Sequence, residues 1–405
     1  MSTPDFDPAR SPVPQLLTNA AFRRLWLAGG LTNSMRWLDM LVSGLFTFEL
    51  TGSAFAVSLV LMARALPMLL MGALAGALAE SLDRRRLLMV GQGAQAASAL
   101  AIAVLALAGW LAPWHLFVNG VVGGLAWTNE LATRRRMVAE AAGPTLIVQA
   151  VAFDSMTGST TRMIGPLVGG FTYESVGVAG AFLIAAAVYL VAAASVHGVA
   201  HRQESRALRL GGLATEIAEA ARIAIAVPAL RLVLGITVVM NVFGFSYTGI
   251  LPAWGTVTFQ ATPFGIGLLA AAEPFGALLT GFALAMRRGA APGRMVLAAG
   301  VGGFLGILAL AAMAPTLPLA ALLLLVGGLG TAAFASLQTG LVLTHAPPEA
   351  RSRILGLTTT CIGTGPLGVL LLGALADAHG PRLAIAGMAV AGLIGLGLVM
   401  ATTRR

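Results

Sequence analysis

Twelve apolar runs, each about 20 residues or longer, fill this chain and leave little between them. They fall at about 22–50, 54–80, 85–110, 115–135, 146–172, 178–197, 229–255, 264–287, 294–314, 318–344, 352–377 and 382–401. A hydrocarbon core about 30 Å thick is crossed by a helix of about 20 apolar residues. A membrane barrel would instead show alternating segments of about 10 residues, which this sequence lacks. Of 405 residues 58% are hydrophobic and 10% charged, against roughly 25% charged usage in soluble domains. The expected fold class is therefore an all-α polytopic membrane protein with twelve transmembrane helices.

The charges that remain set the orientation. All 25 basic residues are arginine, and most of them cluster at Arg23-Arg24, Arg84–Arg86, Arg134–Arg136, Arg202–Arg231, Arg287–Arg294, Arg351–Arg353 and Arg404-Arg405. Two apolar runs separate each cluster from the next, and the intervening turns carry no basic residue until Arg382. Arginine-rich loops stay cytoplasmic, so both termini are expected inside, in a cell inner membrane. The net charge of +9 does not indicate nucleic acid, because no basic stripe interleaved with aromatics is present. Cys361 is alone, so no intrachain disulfide forms. Residues 1–21, with Asp5 and Asp7 and no charged-then-apolar leader pattern, read as a cytoplasmic tail, as do 402–405.

The longest polar stretch, within 198–228, divides the chain into six-helix bundles at 22–197 and 229–401. In this linker Leu213, Ile217, Ala220 and Ala221 alternate with Glu216, Glu219 and Arg222, the pattern of an amphipathic surface helix. The halves echo each other. Gly165-Pro166 recurs as Gly365-Pro366, and Arg64 before Pro67 parallels Glu273 before Pro274. Weak internal symmetry of this kind marks transporters built from repeats, with the site near the midplane.

Two motifs sharpen that expectation. The turn GALAESLDRRR, Gly76 to Arg86, resembles the signature loop of the major facilitator superfamily, with Glu80 in the acidic position, and Ser81 and Asp83 where that pattern differs. The resemblance implies that Gly76, Glu80, Asp83, Arg84 and Arg85 gate the conformational cycle, with the acid docking on the cytoplasmic end of helix 11. Glu130 is the expected counter-ion of Arg84. The competing reading is a solvated turn that only sets topology.

The second motif is GSTTRMIGPLVGG. Gly158, Gly165, Pro166, Gly169 and Gly170 resemble the helix 5 antiporter motif of the superfamily's exporters. That resemblance implies a helix 5–8 contact biased toward export. Read from the residues alone, small side chains on one face permit close helix packing, and Pro166 favours a bend. Helices 1–2, LTNSMRWLDMLVSGLFTFELTGSAFAVSLV and ARALPMLLMGALAG, resemble the enterobactin-exporter and macrolide-efflux branch, which implies a drug- or siderophore-like substrate.

Six ionisable residues lie deep in the runs: Arg36, Asp39, Arg64, Asp154, Arg162 and Glu273. Such groups face a cavity or pair with each other. Arg36 and Asp39, three apart, are expected to form one ion pair. Asp154, Gly158 and Arg162 share a helix face. Glu273, Asp39 and Asp154 are the candidates for carrying a coupling proton, the alternative being static ion pairs. Arg36, Arg64, Arg162, Asn241, Tyr247 and Gln338 are the candidate substrate contacts. For Arg162 an interhelical bond is the rival reading.

Together these features point to a monomeric exporter that exchanges a small-molecule substrate for protons across the lipid bilayer by alternating access. A uniporter, an importer and a non-transporting sensor are the alternatives. A chain without lysine has no P-loop lysine, and no HExxH or nucleophile-elbow pattern is present, so an enzyme is not expected. No cofactor or metal is called for.

Overall fold

A computed structural model describes residues 12–143, 145–199, 213–286, 293–347 and 350–403. It is helical, with no strand among the described residues. The helices are α1 Pro12–Thr18, α2 Ala20–Thr51, α3 Ala54–Ser81, α4 Arg84–Leu107, α5 Pro113–Ala142 and α6 Ile147–His197. They continue with α7 Leu213–Ala226, α8 Pro228–Val239, α9 Leu251–Phe259, α10 Pro263–Met286, α11 Arg294–Ala312 and α12 Leu317–His345. The chain closes with α13 Arg351–Ile362, α14 Gly365–His379 and α15 Pro381–Thr403. Among the described residues, eight helical stretches are long and apolar enough to cross a bilayer. Leu107, Leu190, Leu310, Leu383 and Leu398 stand exposed on their surfaces. Water would not tolerate so much open apolar area, whereas lipid tails match it.

Three helices depart from simple rods. α6 turns at Gly177, whose φ of 69° and ψ of −176° suit glycine alone, so residues 147–176 and 178–197 are separate helices. The seventh run, expected as one helix over 229–255, breaks. After α8 comes a π-turn at Met240–Gly244, then a 3₁₀ stretch at Phe245–Ile250, then α9. Pro252 has no N–H to continue the ladder, and Gly244 and Gly249 lower the cost of irregular backbone. The eleventh run also divides, into α13 and α14, with Pro366 in the first turn of α14. There its missing N–H costs nothing. The matching dipeptide behaves otherwise, since Pro166 lies inside a continuous stretch of α6.

The chain forms two compact units, one of Met1–Ser43 with Ala63–Arg209 and one of Gly44–Met62 with Leu210–Arg405. In the first, α4 packs along α5 and α6. Leu16, Phe22, Leu25 and Ala28 close its core against Leu88, Met137, Val138 and Val196. In the second, α12 packs between α10 and α11, and α11 packs on α15. Tyr247, Trp254 and Phe304 form its aromatic centre, with ring centroids 6.4 to 6.5 Å apart.

Within the second unit, α3 begins on a carboxylate from far along the chain. Asp377, in the last turn of α14, accepts bonds from Ser53 Oγ at 2.6 Å, Ala54 N at 2.7 Å and Phe55 N at 3.2 Å. A helix start leaves its first N–H groups unsatisfied, and a carboxylate both bonds them and complements the helix dipole.

Candidate functional site

The first unit concentrates charge. Asp39 on α2 meets Arg64 on α3, Nη2 to Oδ2 at 2.5 Å, both about 5% exposed. Ser43 Oγ donates to Asp39 at 2.9 Å, as its place one turn along α2 allows. Asn119 Nδ2 of α5 donates to both carboxylate oxygens at 3.1 Å, and Ser98 of α4 donates to Asn119 Oδ1 at 2.7 Å. One acid thus ties four helices together. Charge burial is tolerable when the pair is close and the remaining lone pairs are bonded, and both conditions hold for Asp39.

The expected Arg36–Asp39 pair does not form. Three residues along a helix turn the side chain by about 60°, enough to aim the two residues at different neighbours. Asp39 faces α3 and α5, while the Arg36 guanidinium lies 4.5 Å from the ring centre of Trp127 and 5.5 Å from that of Trp37. Asp154 is likewise engaged elsewhere. Arg134 of α5 reaches both its oxygens, at 2.5 and 3.2 Å, and also Glu130 at 3.0 Å. Glu130 therefore serves Arg134, and Arg84 takes Glu140 instead, at 2.7 Å. Glu130 sits one helical turn before Arg134, which is the spacing of an ordinary helix ion pair.

Around this cluster lies a cavity of about 280 Å³. Asn33, Arg36 and Trp37 line it from α2, Trp127, Glu130, Arg134 and Arg135 from α5, and Asp154, Ser155, Gly158, Ser159 and Arg162 from α6. Arg162 projects toward it beside Trp37, 5.9 Å from the ring centre. The glycines of the helix 5 motif explain how the walls come so near. A Cβ on Gly165 would sit 2.5 Å from Trp37 Cβ and 2.9 Å from the Ser34 carbonyl, and one on Gly169 would sit 3.2 Å from the Leu38 backbone. Gly158 faces Asn33 more loosely, at 3.7 Å. These glycines pack α6 against α2, with Pro166 and Gly170 buried beside them.

The turn before α4 has defined roles in the same unit. Asp83 caps α4 by accepting from Arg86 N at 2.8 Å. Arg84 reaches α5 through Glu140, and Arg85 donates to the His197 carbonyl at the end of α6. The side chains at Gly76 and Glu80 lie outside the described residues.

In the second unit Glu273 of α10 is wholly buried and accepts from Thr331 Oγ1 of α12 at 2.5 Å. Thr331 is at the same time 3.0 Å from the Gly328 carbonyl. Gln338 and Asn241 converge on one residue: Gln338 Nε2 donates to Thr237 Oγ1 at 2.6 Å, and Asn241 Nδ2 to the Thr237 carbonyl at 2.9 Å. Tyr247, expected at the substrate, is instead 1% exposed within the aromatic centre. Thr237, Thr331, Asn119 and Arg134 carry much of this polar structure. Only Arg134 had a visible signal, its i, i+4 relation to Glu130.

No metal-binding group of acids, histidines or cysteines occurs among the described residues. Bilayer-length apolar helices, with buried charge and a cavity in the first unit, are the features of a multi-pass membrane transporter. The sequence profile of the transmembrane secretion effector family matches residues 11–404, and the chain belongs to that family. The chain is 29% identical over 348 residues to the multidrug efflux pump Tap of Mycolicibacterium fortuitum, covering 81% of this chain and 82% of the pump. The corresponding pump of Mycobacterium tuberculosis (strain ATCC 25618 / H37Rv) is 28% identical over 346 residues, covering 81% and 80%. In fold, the chain is similar to a bacterial homologue of the human lysosomal transporter Spinster, crystallised inward-facing and occupied, with a TM-score of 0.75, 14% identity and 98% of each chain covered.

Proposed function

We propose that this protein exports small, drug- or siderophore-like organic compounds across the inner membrane by alternating access, in exchange for protons. The similarity to efflux pumps supports the direction of transport. Counting 147–176 and 178–197, α8–α9 and α13–α14 as spans supports twelve crossings, and the arginine clusters support both termini cytoplasmic; the protein acts as a monomer. The turn from Gly76 to Arg86 and the glycines of α6 then govern the conformational change.

The observation that carries the coupling assignment is the presence of carboxylates inside the apolar helices, which are candidate functional groups by position. Asp39 and Asp154 each bind an arginine directly, and Glu273, wholly buried in the second unit, accepts from a hydroxyl. We assign the proton to Glu273 and a role in holding the helices in register to Asp39 and Asp154, with the cavity of the first unit receiving substrate. In liposomes, Glu273→Gln is expected to leave substrate binding within about twofold and to abolish substrate-driven proton movement. Unchanged coupling in this variant would remove Glu273 from the mechanism. An imposed pH gradient that fails to drive substrate uphill in the unaltered protein would instead favour a uniporter.

A further inference from the structure

The cavity of the first unit has an unequal charge ledger. Four arginines line it, Arg36, Arg134, Arg135 and Arg162, against two carboxylates, Glu130 and Asp154. Both carboxylates are bound by the same guanidinium, that of Arg134. The charge of Glu130 also faces Arg36, so an arriving organic cation would meet acids already engaged with arginines.

Arg36 supplies the contact. The residue is half-buried, and its guanidinium lies against the indoles of Trp127 and Trp37, at 4.5 and 5.5 Å from their ring centres. Packing on an aromatic face fixes the orientation of a guanidinium while leaving its N–H edge to bind, and that edge matches the two oxygens of a carboxylate. The indoles also give the cavity flat apolar walls. Its volume of about 280 Å³ is near the lower end of the range for small-molecule sites.

From this arrangement we propose that the cavity binds an amphiphilic organic anion, with its carboxylate on Arg36 and its planar apolar part against Trp37 and Trp127. The proposal rests on reading this cavity as the substrate site, and it adds the charge class that the export assignment leaves open. It also assigns Arg134 to holding the cavity's own acids rather than the ligand's.

The test uses three probes of one shape: radiolabelled 1-naphthaleneacetate, its neutral amide, and the cationic 2-(1-naphthyl)ethylamine. Equilibrium binding to the purified full-length protein in detergent, corrected for micelle partitioning, is compared across them. The acid is expected to bind at least about tenfold more tightly than the amide, the size of one charge-assisted bond. The cation is expected to bind weakest. Arg36→Ala should weaken the acid by about 10- to 100-fold and leave the amide within about twofold, and Arg36→Lys should restore part of the loss. Equal binding of acid and amide, tighter binding of the cation, or no binding of any probe at millimolar concentration would overturn the proposal. If Arg36→Ala fails to fold, the three-probe series on the unaltered protein decides alone. Binding in micelles does not require transport. An acid that binds through Arg36 but is not moved by a pH gradient would therefore sink proton-driven export and leave the anion site standing.

Discussion

The two units bury charge by different means. In the first, Asp39 with Arg64, and Glu130 and Asp154 with Arg134, form meshes in which every acid is matched to an arginine. In the second, Glu273 is the one buried acid among the described residues, and a threonine hydroxyl bonds it. The meshes link α2 to α3 and α5, and α5 to α6, whereas the Thr331–Glu273 bond links α10 to α12.

That contrast can be broken by substitution, with thermal unfolding in detergent as the common readout. Asp39→Ala should have the largest effect, because it strands Arg64 in a buried site. Losing one partner of a buried pair costs about 3–5 kcal/mol. A loss below about 1 kcal/mol would mean that the mesh is not structural. Gly165→Leu comes next. Its side chain would enter the space of Trp37 and the Ser34 carbonyl, and overpacking costs about 1–3 kcal/mol. It should also reduce ligand binding, since it forces α6 away from α2 at the cavity wall. Thr331→Val should cost about 1–2 kcal/mol by leaving the Glu273 carboxylate short of a donor. Asp377→Ala is expected to be the mildest, about 1 kcal/mol for a lost helix cap, with Asp377→Asn recovering most of it.

Much of the architecture was legible because a bilayer reads hydropathy and arginine placement directly. The same run lengths that give a span also give helix boundaries, and the turn at Gly177 fell where two runs were counted. The irregular seventh helix was not legible, since Pro252 and Gly244 permit a break without requiring one. In the site, the buried charges could be named from sequence but not paired. Arg36 and Asp39 are neighbours on a line, yet a helix separates their directions, and a partner such as Asn119 or Arg64 is chosen by tertiary packing. Thr331 and Thr237 left no mark, because a threonine in an apolar run is ordinary. Asp377 was passed over for a similar reason, since an acid at the end of a span looks like part of a turn.

The cap that Asp377 provides also has a consequence for how the protein is made. Ser53 and Asp377 are 324 residues apart, so the ribosome releases the start of α3 long before it reaches the carboxylate that completes it. At about 5–20 residues per second, the interval is roughly 15–65 s. Throughout that time the first amides of α3 depend on water or lipid headgroups at the membrane surface. The finished contact therefore records the order of synthesis, with an early helix held provisionally until one of the last arrives.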